Sequence, residues 1–291
     1  MQSNGSHSPV DLVSISSAEQ QCRALFQRFS RQIGKVAKST STDNVHKFRT
    51  NSRRIEALVT ELDAARGNQK KLLKLLSKLR KKAGKVRDLD VQIAFLKELR
   101  ASDRQNHRTQ LLEWLASEQA RRSKKLAKSL DSETVQELRK RLRRAQSEMN
   151  LGGIDPLNLA IKRLPNPGTS PLSEKMLHAC RIEARTARYL AELSPESPDS
   201  QYFVQELKTA QDAIGEWHDI MKLKEQAERL FGGVHDSPLV AVLQNVSRAK
   251  FRRANGALLT ALSALSQTKK SPSSASDEKR PQSAVEQSAV A

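Results

Sequence analysis

The sequence predicts an all-α protein made of two antiparallel helical-bundle subdomains. Three observations support this prediction. Apolar residues recur every three to four positions from residue 17 to residue 266, which is the spacing of amphipathic helices, and no segment alternates as a β-strand does. One segment rich in proline and glycine, residues 151–170, divides this region. A short motif of histidine and arginine occurs once on each side of that segment.

The first half, residues 17–150, contains six predicted helices. In the first helix an apolar face is formed by Leu25, Phe26, Phe29, Ile33 and Val36. Thr42 and Asp43 are good N-cap residues for the second helix, which we expect to stop at Gly67. The predicted helices are Ser17–Lys38, Thr42–Arg66, Asn68–Lys82, Asp88–Ala101, Asp103–Leu130 and Ser132–Asn150.

The second half, residues 171–266, contains four predicted helices. Gly215 is expected to separate two of them, because glycine is a poor helix former. The ends of the chain, residues 1–16 and 267–291, are rich in serine and lack hydrophobic periodicity, so we expect both to be disordered. The predicted helices are Pro171–Leu193, Gln201–Ile214, Glu216–Phe231 and Ser237–Leu265.

The charge of the chain indicates an anionic partner. The 291 residues include 51 Lys and Arg but only 32 Asp and Glu, which gives a formal net charge of +19. The two ends contribute little to this excess, so it belongs to the helical region. Aromatic residues make up only 4% of the chain. Proteins that read single-stranded nucleic acids by stacking need more aromatic side chains, so this mode of binding is disfavoured.

Other features narrow the class of protein further. The two cysteines, Cys22 and Cys180, are far apart in sequence, and no spacing of Cys and His suggests a metal site. We expect both to be reduced, buried side chains. The first residues lack the pattern of a signal peptide, and no apolar run is long enough to cross a membrane. We therefore expect a cytoplasmic protein with no membrane partner, no metal and no cofactor.

The internal repeat is the most informative feature of the sequence. In both halves a histidine, His46 or His178, is followed by arginines at the third and seventh positions after it. A glycine then follows, Gly84 being 38 residues after His46 and Gly215 37 residues after His178, and each glycine precedes an aspartate by four residues. Two elements at a matched separation are typical of a duplication.

On a helix, the first motif forms a basic stripe. His46, Arg49 and Arg53 fall within about 60° of one another on one face and extend over roughly 10 Å of the axis, with Arg54 at the edge. Val45, Phe48, Ile55, Leu58 and Val59 fall on the opposite face. Arginine suits phosphate because its planar group donates paired hydrogen bonds and stays charged, and histidine adds a pH-dependent charge.

At these motifs the chain resembles the CHAD family, the histidine-bearing α-helical domain whose members bind inorganic polyphosphate. The resemblance covers about residues 17–266. It implies two helical subdomains related by a pseudo-twofold axis, with a basic groove or pore between them. It also implies non-catalytic binding of polyphosphate and association with polyphosphate granules.

The residues that carry the resemblance are the predicted site. The predicted polyphosphate-binding residues are His46, Arg49, Arg53, Arg54, Arg87, His178, Arg181, Arg185, Arg188 and Tyr189, to which Arg80 and Lys85 are added as basic residues outside the motif. Supporting roles are expected for Asp88, Asp90, His218 and Asp219. Asp88 and Asp219 are each expected to be either a helix N-cap or an ion-pair partner of an arginine. The chain departs from the family pattern at Glu56, Thr186 and His218.

Two alternative functions remain open at this level. The positive charge also permits non-specific binding of nucleic acids, which is largely electrostatic. His178, His218, Asp219 and Asp236 could be read as the ligands of a metal-dependent phosphohydrolase. Against this second alternative, Arg87 occupies the position in the first half that His218 has in the second, and arginine does not bind metals. We expect that the protein is not an enzyme.

Overall fold

The protein is an all-α protein, as predicted. The computed structural model of the chain describes residues 16–62, 69–100, 105–149, 151–166 and 172–268, and these residues form nine helices and no strand. The helices are α1 (Ser17–Lys38), α2 (Thr42–Leu62), α3 (Lys70–Glu98), α4 (His107–Ala127), α5 (Ser132–Glu148), α6 (Pro156–Lys162), α7 (Glu174–Ala191), α8 (Pro198–Phe231) and α9 (Pro238–Thr268). Residues 1–15 and 269–291, most of the two segments expected to be disordered, lie outside the described residues, as does the predicted helix stop at Gly67.

Two predicted helix breaks are wrong. Helix α3 runs without interruption through Gly84, where we expected two helices separated by residues 83–87, and α8 runs without interruption through Gly215. Both glycines are covered by an arginine of a neighbouring helix, as described below. Tertiary packing therefore overrides their low helix propensity.

Local signals explain how several helices begin. The Ser16 and Ser173 side chains accept hydrogen bonds from the first turns of α1 and α7. Ser41, rather than the predicted Thr42 or Asp43, precedes α2, and its hydroxyl accepts a hydrogen bond from Asn44 N–H at 3.4 Å. These hydroxyl groups satisfy N–H groups that have no partner within the helix.

The predicted linker, residues 151–170, contains a short helix that periodicity did not reveal. The Asp155 carboxylate accepts hydrogen bonds from the first turn of α6, and Pro156 occupies the first position, where proline is well tolerated. Helix α6 then packs against α7.

The hydrophobic core contains residues from both sides of this segment. The largest cluster joins Phe29, Phe48 and Leu79 from the first half to Ala187 and Leu207 from the second. A second cluster joins α3 and α4 to α8 and α9. Helix α2 packs against α3 and α7, and α3 also packs against α8, so these four helices meet at the centre of the fold. The division into two subdomains stays a prediction from the repeat.

Two further predictions concern the burial of the cysteines and the presence of helices that could span a membrane. Cys22 and Cys180 are free and buried, as predicted. Within the described part of the chain, no helix combines the length and the apolar character needed to cross a membrane.

Candidate functional site

The four central helices enclose a basic cleft of about 560 Å³. We call it the central cleft. Seven arginines and four acidic side chains line it, together with His46, Thr50, Val91, Tyr189, Gln211 and Gly215. The arginines are Arg49, Arg53, Arg54, Arg87, Arg181, Arg185 and Arg188, and the acids are Asp88, Asp212, Glu216 and Asp219. The motifs of both halves therefore contribute to one site.

The basic stripe predicted on α2 faces this cleft. His46, Arg49 and Arg53 all line it. The opposite face of the helix is buried, since Val45, Phe48, Ile55, Leu58 and Val59 are each at most 1% exposed. An apolar core on one face thus positions the charged face toward the cleft.

The second motif, on α7, has the same orientation with one exception. Arg181, Arg185 and Arg188 line the central cleft, but His178 does not. The His178 ring instead lies 5.5 Å from the ring of His218 on α8. His218 is partly buried, and neither histidine lines the central cleft.

The two glycines of the repeat let arginines lie directly against α3 and α8. A Cβ atom placed on Gly84 would be 3.3 Å from Arg49 Nε, and one placed on Gly215 would be 3.7 Å from an Arg181 guanidinium nitrogen. The same arrangement therefore occurs in both halves. Glycine in the middle of a helix often marks such a close approach of a neighbouring group.

The aspartates that follow the glycines lie within helices, so the N-cap alternative is wrong for both. Asp88 Oδ1 accepts a hydrogen bond from Arg49 at 3.2 Å. Asp219 acts electrostatically on Arg181, and burial raises the pKa of its carboxyl group in spite of that neighbour. Asp88 therefore lies next to Arg49, and Asp219 acts on Arg181; these are the two arginines that lie against the glycines.

Arg54 and Arg188 at one side of the cleft share an acidic partner. Arg54 makes two hydrogen bonds to Glu192, at 2.7 and 3.2 Å, and Arg188 lies 3.3 Å from the same carboxylate. Their guanidinium groups also lie over the Tyr189 ring, 5.4 and 5.0 Å from its centre. Tyr189 is 4% exposed, so it supports these arginines more than it faces solvent.

The charges of Arg53, Arg181 and Arg185 are less well compensated. Burial, and then the like charges of Arg49 and Arg185, lower the pKa of Arg53 to about 8. Burial lowers the pKa of Arg185 to about 10, with Arg181 acting in the same direction. Burial also lowers the pKa of Arg181, although Asp219 opposes it. Burial and like charge therefore both disfavour positive charge on these arginines, and a bound anion would oppose this effect.

Burial and the neighbouring arginines also lower the pKa values of three histidines. Burial and then the charges of Arg87 and Arg49 lower the pKa of His46. Burial and Arg181 lower the pKa of His178, and the same two causes lower the pKa of His218 to about 3. His218 is therefore neutral at physiological pH.

Besides His178 and His218, three predicted residues lie away from the lining of the central cleft. Arg80 forms a 2.5 Å ion pair with Glu56, so the acid that departs from the family pattern neutralises an added base. Lys85 lines a neighbouring cleft. Asp90 accepts a hydrogen bond from Gln119 of α4 at 2.9 Å, and burial raises the pKa of its carboxyl group.

Several lining residues were not predicted. Gln211 and Asp212 precede Gly215 by about one helical turn, which places them on the cleft face of α8. Glu192 was not predicted either and lies outside the lining; it follows Arg188 by four residues, a spacing that favours an ion pair on a helix. The spacing signals the pair with Arg188, but nothing in the sequence indicates the longer-range pair with Arg54.

The four residues considered above as metal ligands, His178, His218, Asp219 and Asp236, do not come together as one group in the described part of the chain. Asp236 lies in the turn after α8, where its carboxylate accepts a hydrogen bond from Gly233 N–H at 2.7 Å. Nowhere in the described ranges do three or more His, Cys, Asp or Glu side chains form a group that could hold a metal ion.

Known proteins resemble this chain in sequence pattern and in fold. Residues 20–228 match the family model of the CHAD domain. The fold is similar to the crystal structure of the CHAD domain from the plant Ricinus communis, with a TM-score of 0.67 and 16% identity over 89% of this chain and 98% of that chain. PptA from Streptomyces chartreusis is also similar, with a TM-score of 0.57 and 16% identity over 88% of this chain and 98% of that chain. No curated protein sequence matches this chain. Since the family model spans well over half of the chain, the protein belongs to the CHAD domain family.

Proposed function

We propose that the central cleft binds inorganic polyphosphate and that the protein does not hydrolyse it. The observation that carries the proposal is the convergence of arginines from three helices, α2, α3 and α7, on one cleft. Arg53 and Arg185 are partly buried there and are surrounded by like charges that depress their pKa values. An anion that entered the cleft would remove this repulsion.

Polyphosphate matches the chemistry of the lining. It is an extended chain with about one negative charge per monomer, and recognition needs neither bases nor aromatic surfaces. Arginine donates paired hydrogen bonds to phosphate oxygens, and the bound phosphate in turn favours its charged form. The two stripes, on α2 and α7, both supply such donors to the cleft. The family resemblance carries the same expectation.

Nucleic acid is the second candidate ligand, because the net charge of +19 favours any polyanion. The least compensated arginines, however, lie inside a cleft rather than on an exposed face. Long-chain polyphosphate should therefore displace DNA from the protein at a much lower concentration of phosphate than DNA needs to displace polyphosphate. Equal displacement in both directions would favour a general polyanion binder.

Paired substitutions test the site. Arg181→Ala with Arg185→Ala should weaken binding of long-chain polyphosphate by at least 10-fold, since hydrogen bonds to charged groups contribute about 1.5–3 kcal/mol each. The matched control, Arg248→Ala with Arg252→Ala, removes the same charge from exposed positions of α9 outside the cleft. Calorimetry measures affinity, and circular dichroism checks helical content. Equal losses in both variants would contradict a specific site.

Two further measurements address the remaining parts of the proposal. Incubation of the purified protein with polyphosphate and divalent cations should release no phosphate above that of a heat-treated sample. In cells that make polyphosphate granules, a tagged protein should co-localise with the granules. The Arg181→Ala, Arg185→Ala variant should lose this co-localisation. Release of phosphate that scales with protein concentration would contradict the non-catalytic assignment.

A further inference from the structure

A second cleft lies on the other side of Asp88 from the central cleft. It has a volume of about 490 Å³ and is formed by α3, α4 and α8. Asp88 lines both clefts, but the other side chains of the second cleft differ from those of the first in kind. We call it the side cleft.

The side cleft has an exposed aromatic surface, which the central cleft lacks. Trp114 of α4 is 41% exposed and Leu230 of α8 is 44% exposed, although both are large apolar side chains. The chain has only two tryptophans, and the other, Trp217, is 1% exposed within the core. An exposed indole beside cations is a surface on which a planar ring can stack.

Two glutamines that line the side cleft each carry a buried amide oxygen that has no hydrogen-bond partner among the described residues. These oxygens are Gln92 Oε1 and Gln226 Oε1. Gln92 is only 2% exposed as a whole residue. A buried acceptor without a partner costs stability, so a ligand that donates N–H groups at this position would be favoured.

Cations complete the side cleft. The lining contains four cationic residues and only two acidic ones. The cations are Lys85, Arg121, Arg122 and Arg229, and the acids are Asp88 and Glu118. Glu118 holds two of the arginines: Arg121 contacts both of its carboxylate oxygens at 2.7 Å, and Arg122 contacts one at 2.5 Å. These arginines are thus held in place while their excess charge remains available to an anion.

We propose that the side cleft binds a purine nucleotide carrying several phosphates, such as ATP. The base would stack on the Trp114 ring, and the glutamine oxygens would accept hydrogen bonds from its N–H groups. The cationic side chains would bind the phosphates. A bare phosphate chain would use only the last of these features. The site is separate from the central cleft, so the proposal holds whether or not the central cleft binds polyphosphate.

Tryptophan fluorescence provides a direct test, because Trp114 is exposed and Trp217 is not. ATP should quench the fluorescence of the protein, whereas tripolyphosphate at the same concentration and ionic strength should not. Trp114→Leu should abolish the quenching and weaken ATP binding, measured by calorimetry, by roughly 5- to 150-fold, the range for loss of one stacked base. Tyr202→Leu, at an exposed aromatic residue outside the side cleft, should leave ATP binding unchanged.

Two further variants separate the side cleft from the central cleft. Gln226→Leu should weaken ATP binding but leave the affinity for tripolyphosphate unchanged. Arg181→Ala with Arg185→Ala should leave the quenching by ATP intact. The proposal is overturned if tripolyphosphate quenches as ATP does, if Trp114→Leu binds ATP as tightly as the unmodified protein, or if the central-cleft variant loses the quenching. None of these outcomes bears on the binding of long-chain polyphosphate, which is measured separately.

Discussion

Arg49 of α2 lies against the backbone of α3 at Gly84, so closely that a Cβ atom there would be 3.3 Å from its Nε atom. The guanidinium group then reaches Asp88, one turn further along α3, at 3.2 Å. One glycine therefore decides where a cleft arginine can lie. Arg181 and Gly215 have the same relationship, at a looser 3.7 Å.

The first prediction compares three glycines within helices. Gly84→Ala should weaken polyphosphate binding several-fold, because the new methyl group displaces Arg49. Gly215→Ala should raise the unfolding free energy by about 0.5–1 kcal/mol through helix propensity, with affinity unchanged within about twofold. Gly256→Ala in α9, where no atom lies within 4 Å, is the matched control for propensity alone. Thermal unfolding and calorimetry measure both effects. Identical affinities for the Gly84→Ala and Gly256→Ala variants would show that the close approach is unimportant.

The second prediction concerns the partly buried Arg53. Arg53→Met should stabilise the protein by about 1 kcal/mol or more, because it removes a desolvated charge that Arg49 and Arg185 repel and that the nearby Glu56, itself paired with Arg80, compensates only in part. The same change should weaken polyphosphate binding by roughly 10- to 150-fold, the range for a charge-assisted hydrogen bond. Arg252→Met, at an exposed position, should do neither. A lower melting temperature for Arg53→Met would indicate that this arginine stabilises the free protein.

The third prediction concerns Glu192, which neutralises Arg54 and Arg188. Glu192→Gln should increase the affinity for polyphosphate several-fold, because both guanidinium groups then face the cleft with their charge uncompensated. It should lower the unfolding free energy by about 1–3 kcal/mol, since Arg54 joins α2 to α7 through this carboxylate. Glu225→Gln removes the same charge at an exposed ion pair with Lys222 and is the control. An equal rise in affinity for the control would attribute the effect to net charge.

The fourth prediction concerns pH. In the free protein the pKa of His46 is lowered, by burial and by Arg87 and Arg49. A bound polyanion favours the protonated imidazole and raises this pKa, so binding takes up protons and affinity should increase as the pH falls from about 8 to 6. His46→Gln should remove most of the proton uptake between about pH 6 and 7, whereas closer to pH 8 Arg53, whose pKa is lowered to about 8, also takes up protons. His178→Gln should have a smaller effect, because His178 does not line the cleft.

Calorimetry in two buffers of different ionisation enthalpy counts the protons. His218 should not contribute in this range, because its pKa is about 3 in the free protein and its ring lies outside the central cleft. If the unmodified protein takes up no protons between pH 6 and 8, His46 is not a ligand. If the His46→Gln variant takes up as many protons as the unmodified protein, the effect has another source.

The fifth prediction concerns salt. Each polyphosphate charge neutralised by the cleft should release condensed counterions, so the logarithm of affinity should fall linearly with the logarithm of salt concentration. By analogy with single-stranded nucleic acids, the slope should be about 0.7 per contact, or about 4 for six contacts. Arg53→Ala with Arg185→Ala should reduce the slope by about 1.4. A slope that is near zero for the unmodified protein would contradict an electrostatic mechanism.

The sequence by itself determined the helical class, the basic stripe opposite the apolar face of α2, and the recurrence of the histidine-arginine and glycine-aspartate elements at a matched separation in the two halves. These follow from local periodicity, because a helix with apolar residues on one face must bury that face, as α2 buries Phe48 and Ile55. The matched separation between the motifs can also be recognised in the sequence without knowing how the helices pack. His46, Arg49 and Arg53 could therefore be placed on the face of α2 opposite its apolar residues without a structure.

Only the tertiary structure decided what the glycines do and which charges remain uncompensated. The sequence predicts helix breaks at Gly84 and Gly215, because glycine has a low helix propensity. In the structure, Arg49 and Arg181 pack across these glycines and α3 and α8 are continuous. The Arg54–Glu192 pair joins residues 138 positions apart, and the Arg80–Glu56 pair also joins two helices. Such pairs depend on how the helices pack, which periodicity does not encode, so the sequence could propose the basic residues but not their partners.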